Sequence, residues 1–170
     1  MLKELSTLKV QPMFRISFDG CGTHDLMRGT QGIEGVVLNA IRRIRKAGFD
    51  VTVATSLDKT NIDSLMATYE QMKKLDLYAW GVARPQPVGC GRGVTTGLSL
   101  KEMADVCELL LHRWLEDGQP FIIGLEAFYS GSKFGAEDCD FLASKNFSLE
   151  GYACSSCRQW PYLAPDGQLL

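Results

Sequence analysis

The amino-acid sequence predicts an α/β fold in which parallel strands alternate with helices. Short apolar runs rich in β-branched and aromatic residues recur along the 170-residue chain, and the segments between them carry apolar residues at helical spacing. Roughly 25 to 40 residues separate the starts of successive runs, which is long enough for a helical crossover. Crossovers of this kind join parallel strands, so the sequence indicates a series of βαβ units.

Four runs have the length and composition of strands. Each is bounded by turn-forming or charged residues, and each contains few residues that disfavour extended structure. The predicted strands cover Phe14–Asp19, Val51–Ser56, Leu77–Ala83 and Phe121–Phe128.

Three helices are predicted between these strands. The first has Thr30 as its N-cap and ends at Gly48, the second starts at Asn61, and the third opens with the capping box Ser99-x-x-Glu102 and ends at Gly118. The apolar stripe of the first helix consists of Ile33, Val37, Ala40, Ile41, Ile44 and Ala47.

Composition excludes two classes of partner. The net charge of -2 and the isoelectric point near 5.7 provide no basic field for nucleic acid. No run approaches the roughly 20 apolar residues of a membrane span, and the N-terminus lacks the apolar core of a secretion signal. We therefore expect a cytoplasmic protein that binds neither nucleic acid nor membrane.

The end of the first strand carries polar residues. Strand alternation places Ser17 and Asp19 on one face, at the carboxyl end where α/β folds bind ligands. A hydroxyl and a carboxylate suit a ribose diol or an amino-acid head group, and Gly20 and Gly22 would let a ligand approach the backbone. The alternative is an ordinary Asp-Gly turn. His24 follows the glycine-rich turn and is expected to be a polar surface residue, with contact to a ligand as the alternative.

Several segments, in their order along the chain, resemble the second half of a radical SAM core. They are "ISFDG", His24, "MRG" at residues 27–29, "VTVATS", the asparagine that starts the next helix, and "PQPVGCGRG". Within that family, the segments resemble more specifically the branch that carries a C-terminal SPASM or twitch extension. It implies a partial (β/α) TIM-like barrel that contains strands four to six and lacks the N-terminal half.

The resemblance also implies a cofactor site. Ser17 and Asp19 would meet the ribose or methionyl part of S-adenosylmethionine, and Arg28 would bind its carboxylate. The backbone near Val82 and Ala83 would lie beside the adenine. The three-cysteine CxxxCxxC motif that holds the radical-generating [4Fe-4S] cluster is not in this sequence.

The cysteine pair Cys154-x-x-Cys157 lies near the end of the chain. Nine residues separate Cys157 from Gly167, a spacing that resembles the start of a SPASM domain. The resemblance implies that one or both thiolates ligate an auxiliary [4Fe-4S] cluster. A lone CxxC also fits half a zinc site, a redox pair or two ordinary thiols. We expect residues 1–135 to form the barrel portion and residues 136–170 the start of the extension.

Two functional hypotheses follow. The chain is a portion of a radical SAM oxidoreductase that generates a 5'-deoxyadenosyl radical to modify a substrate, either a peptide or a small molecule, and is inactive alone. Alternatively, it is a non-catalytic α/β binding module whose CxxC holds zinc or a partner. Because the first strand would be an open barrel edge, we also expect a homodimer with Phe14, Ile16 and Phe18 at or beside the contact.

Overall fold

A computed structural model describes residues 2–85, 97–126 and 129–131. Within these ranges one sheet has five strands in chain order, of which the first four are parallel and the fifth runs antiparallel to the fourth. The strands are β1 (Phe14–Ser17), β2 (Val51–Ser56), β3 (Ala79–Ala83), β4 (Ile122–Glu126) and β5 (Tyr129–Gly131). This arrangement confirms the predicted α/β class with parallel strands.

Helices occupy the connections between the parallel strands. The helices are α1 (Leu2–Leu5), α2 (His24–Arg28), α3 (Ile33–Lys46), α4 (Leu65–Lys73) and α5 (Leu100–Glu116), with a 3-10 turn at Ile62–Ser64 before α4. The short helix α2 directly after β1 was not predicted. The predicted domain boundary at residues 135 and 136 lies outside the described residues.

The two faces of the sheet differ in burial. In β2, β3 and β4 alternate side chains are fully buried, while those between them are only partly buried. The buried face packs against α4 and α5 and forms the core, whose strand members are Val51, Val53, Trp80, Val82, Ile123 and Leu125. The parallel strands follow one another in chain order. When all their crossover connections have the same hand, the helices lie on one side of the sheet, and the opposite face corresponds to a barrel interior.

A charged contact joins α4 to the end of α5. The Tyr69 hydroxyl donates to Asp117 Oδ2 at 2.7 Å, and Lys73 Nζ lies 2.7 Å from the same oxygen. Burial, together with this hydrogen bond to a carboxylate, raises the pKa of Tyr69. The two helices are therefore fixed relative to each other where they cover the sheet.

The start of α3 differs from the prediction. Thr30 is not its N-cap, because the helix begins at Ile33 after Gly32, which has a φ of 80°. The Asp25 carboxylate of α2 accepts the backbone N–H groups of Gly32 at 2.5 Å and Glu34 at 2.7 Å. A side chain from the preceding helix thus supplies the cap that the sequence pattern assigned to a local residue.

The other predicted helix signals are confirmed. Gly48, with a φ of 87°, follows the last turn of α3 and provides the left-handed conformation that ends it. Ser99 and Glu102 form both bonds of the capping box at the start of α5. Gly118, with a φ of 72°, follows the end of α5.

The Asp25 cap predicts a pH-dependent stability. The N–H groups of Glu34 and Gly32 hold the pKa of Asp25 below its usual value. A lowered folded-state pKa gives stability that is present above the unfolded pKa, near 4, and is lost as pH falls through the folded pKa. In urea unfolding from pH 2 to 7, Asp25→Asn should therefore lose stability at neutral pH and show a shallower decline below about pH 4. An unchanged acid limb would contradict the capping role.

Candidate functional site

The carboxyl ends of β1, β2 and β3 meet at one edge of the sheet. Register places Ser56 of β2 beside Ala83 of β3, and Asp19 lies two residues beyond the end of β1. The face of the sheet opposite the helices is called the open face below. One row lower, this face carries only small residues across four strands. That row consists of Ser17, Ala54, Gly81 and Gly124. Small side chains leave room above this part of the sheet for a ligand.

Asp19 is a buried carboxylate at this edge, only 2% exposed. Its Oδ2 lies 2.7 Å from Nε of Arg28, and its Oδ1 accepts the backbone N–H of Ser56 at 3.1 Å. Burying a carboxylate without partners would cost several kcal/mol, on the order given for unpaired buried charges, so these contacts account for its place in the interior. The structure thus joins two predicted site residues, Asp19 and Arg28, in one ion pair.

His24 is buried, in contrast to the expectation that it is a polar surface residue. It is 1% exposed, and its ring lies 5.0 Å from that of Phe18. Its Nδ1 accepts the backbone N–H of Asp19 at 3.0 Å, which places the proton of the neutral ring on Nε2. Nδ1 is also 3.5 Å from Asp19 Oδ2, but as an acceptor it makes no ion pair there. His24 therefore orders the turn after β1.

Arg28 is a partly exposed residue at this edge. Its side chain is 42% exposed, although Nε is held by Asp19. Among the described residues, none bonds its two terminal nitrogens. An arginine held through Nε keeps two parallel N–H groups for a second planar anion, so it can bind a ligand carboxylate in bidentate fashion.

The remaining predicted contacts have different surroundings. Ser17 is exposed on the open face. The Val82 side chain is fully buried on the helix-covered face, so only its backbone is available for the predicted adenine contact. The Ala83 carbonyl accepts the N–H of Leu57 at 2.8 Å, and its side chain belongs to the open face.

Gly20 has a structural role that the sequence interpretation missed. Its φ is 138°, and a Cβ there would lie 2.5 Å from Thr23 Oγ1 and 2.8 Å from Ser64 Oγ. The space beside Gly20 is thus filled by the protein itself and not kept for a ligand. At Gly22 nothing lies within 4 Å of the same position, although its φ of 74° still favours glycine.

Asn61 is a further residue whose role the sequence did not reveal. The second helix was predicted to start at Asn61, whereas in the structure Asn61 lies directly before the 3-10 turn Ile62–Ser64 and its amide makes no capping bond. Instead, it is 1% exposed and donates to the backbone carbonyls of Asp19 and Ser56. The combination of a strand-end Asp-Gly and an asparagine shortly after the next strand is the only sequence signal that points to it.

The described cysteines have the properties of structural thiols. Burial raises the pKa of Cys107 to about 11, and burial also raises the pKa of the partly exposed Cys21. Both are therefore protonated at neutral pH. Within the described ranges no three metal-binding side chains cluster. The predicted metal ligands Cys154 and Cys157 lie outside those ranges.

None of the helices in the described part of the chain combines the length and apolar character needed to cross a membrane.

Comparisons with known proteins support the resemblance found in the sequence. No protein-family model matches the chain. It is 35% identical over 78 residues to an AdoMet-dependent heme synthase of Methanosarcina barkeri, a match covering 45% of this chain and 22% of that protein. Its fold is similar to that of Streptococcus suis SuiB, solved bound to the precursor peptide SuiA. The TM-score is 0.61 at 9% identity, with 75% of this chain and 29% of SuiB covered.

The two matches confirm the resemblance to part of a radical SAM enzyme and the partial-barrel α/β fold. The chain spans less than a third of the length of either protein. The activity of the whole protein is therefore a matter for proposal.

The two glycines after β1 give a matched test of the turn. Gly20→Ala should lower the free energy of unfolding by more than about 2 kcal/mol, because it adds both backbone strain and a steric clash. Gly22→Ala should cost about 1 kcal/mol from backbone strain alone. Urea unfolding monitored by tryptophan fluorescence compares the two. Equal losses would contradict the packing assigned to Gly20.

Proposed function

We propose that this chain forms the part of a radical SAM enzyme that binds S-adenosylmethionine at the carboxyl ends of β1, β2 and β3. The observation that carries the proposal is the Arg28 guanidinium, whose Nε is paired with a buried aspartate while no described residue bonds its terminal nitrogens. Such a group suits the carboxylate of the methionyl moiety.

The surroundings of Arg28 fit the rest of the cofactor. Ser17 offers an exposed hydroxyl one row below Asp19, and the small residues Ala54, Gly81 and Gly124 leave the face beside it open. The backbone of Val82 and Ala83 forms the next strand end, where the adenine would lie. Asp19 acts on this site by orienting Arg28, because both of its carboxylate oxygens already have partners.

In the intact enzyme, S-adenosylmethionine beside a reduced [4Fe-4S] cluster supplies radical chemistry. Cys154 and Cys157 are the candidate ligands of an auxiliary cluster, since thiolates are the ligands that iron-sulfur clusters require. Cluster-bearing enzymes of this type need a reducing compartment, which agrees with a cytoplasmic location. A peptide is the proposed substrate, because the structurally similar SuiB binds one.

Binding of S-adenosylmethionine to this chain tests the proposal. We expect weak, millimolar-range affinity, since a cluster would supply further bonds to the methionyl group. In NMR titrations Arg28→Gln should weaken binding about tenfold or more, the loss expected for a charge-assisted hydrogen bond. Arg42→Gln, an exposed arginine of α3, is the matched control and should bind as the wild type does.

Two results would contradict the proposed site. One is equal affinity of the Arg28→Gln variant and the wild type, which would place the methionyl carboxylate elsewhere. The other is submicromolar binding to the wild-type chain, because a site without cluster bonds should not reach that affinity.

We also propose that the chain forms a homodimer through β1. In the described residues β1 is an edge strand of the sheet, and edge strands pair readily with other strands. Phe14 and Ile16 are only partly buried beside this edge and would lie in the contact. Phe18 is fully buried in the core, so it would lie beneath the contact without touching the partner. Sedimentation at micromolar concentration should show a dimer. A stable monomer would contradict this proposal.

A further inference from the structure

The buried amide of Asn61 connects two strand ends. Its Nδ2 donates to the carbonyl of Asp19 and to the carbonyl of Ser56, the latter at 2.7 Å. Its Oδ1 accepts the backbone N–H of Asp58 at 2.8 Å, which fixes the amide orientation. Both N–H groups of the amide therefore donate to backbone carbonyls, one just after the end of β1 and the other at the end of β2.

A closed set of hydrogen bonds results. The Ser56 N–H donates to Asp19 Oδ1, while Asn61 holds the carbonyls of the same two residues. Asp19 is therefore fixed both through its backbone and through its side chain. Its other oxygen, Oδ2, is left to contact Arg28 Nε at 2.7 Å.

From this geometry we infer that Asn61 is a positioning residue for the Asp19–Arg28 pair, and that it sets the direction in which Arg28 presents its terminal nitrogens. The inference deepens the proposed function, and its ligand-binding part rests on that function. Arg28 has an exposed and long side chain, so its orientation depends on Asp19. Asp19 in turn depends on the two carbonyl bonds of Asn61.

The chemistry of the amide is specific. An aspartate has the same shape but no N–H groups, so Asn61→Asp would place one carboxylate oxygen, in the position of Nδ2, against two carbonyl oxygens. A serine retains one hydroxyl donor on a shorter side chain. These two variants remove the positioning to different extents at one site.

The test combines two measurements on the full chain. The first is the 1H–15N NMR resonance of Arg28 Nε, which reports its ion pair with Asp19 without any ligand. The second is titration with S-adenosylmethionine. Asn61→Asp should move or broaden the Arg28 resonance and weaken binding about tenfold, a loss on the scale of one charge-assisted hydrogen bond.

Tyr69→Phe is the matched control. It also removes a side-chain hydrogen bond, here a partly buried one, but the bond joins α4 to Asp117 and not to the strand ends. The control should lower the thermal midpoint of unfolding while leaving the Arg28 resonance and the affinity unchanged. If Asn61→Asp does not fold, Asn61→Ser is expected to show the same two changes to a smaller extent.

The outcomes separate the two claims. A folded Asn61→Asp or Asn61→Ser variant with the wild-type Arg28 resonance would overturn the inference and leave Asn61 a purely structural residue. If the resonance moves in the variant but the wild-type chain binds no S-adenosylmethionine, the positioning role stands and the proposed function fails.

Discussion

The buried carboxylate of Asp19 is the constraint on which the carboxyl edge of the sheet depends. A charge at this depth is tolerated only when its oxygens have partners, and here they come from α2 and β2. The same residue uses its backbone N–H on His24 and its carbonyl on Asn61. One residue therefore ties together the end of β1, the helix that follows it and the end of the next strand.

The site follows from the contrast between the two faces of the sheet. Large side chains such as Trp80 and Ile123 fill the helix-covered face, whereas Ser17, Gly81 and Gly124 lie on the other. The strand register aligns the small residues in one row. Their short side chains leave space above the open face directly beside the Asp19–Arg28 pair. A cation fixed at the rim of such a surface is suited to hold the charged end of a ligand whose remainder lies across the strands.

Local patterns predicted the fold well. The strand Val51–Ser56 has the predicted bounds, and the capping box at Ser99 and the stop at Gly48 are as expected, because each depends on neighbours in sequence. The site was only partly predictable. Strand alternation predicted Ser17 and Asp19 as site residues, and the family resemblance added Arg28. The burial of His24 and the carbonyl bonds of Asn61 could not be predicted, because they arise from contacts between segments that are distant in sequence. The predicted N-cap of α3 was wrong for the same reason, because the cap is provided by Asp25 of α2 and not by Thr30.

A double-mutant cycle on Asp19 and Arg28 tests most directly whether this ion pair organises the strand ends. The free energies of unfolding of Asp19→Asn, Arg28→Gln and the double variant would be measured by urea unfolding against the wild type. If the pair acts as a unit, the sum of the stability losses of the two single variants will exceed the loss of the double variant by about 1 kcal/mol or more. Additive losses, within roughly 0.3 kcal/mol, would show that the two side chains do not depend on each other and would contradict the account.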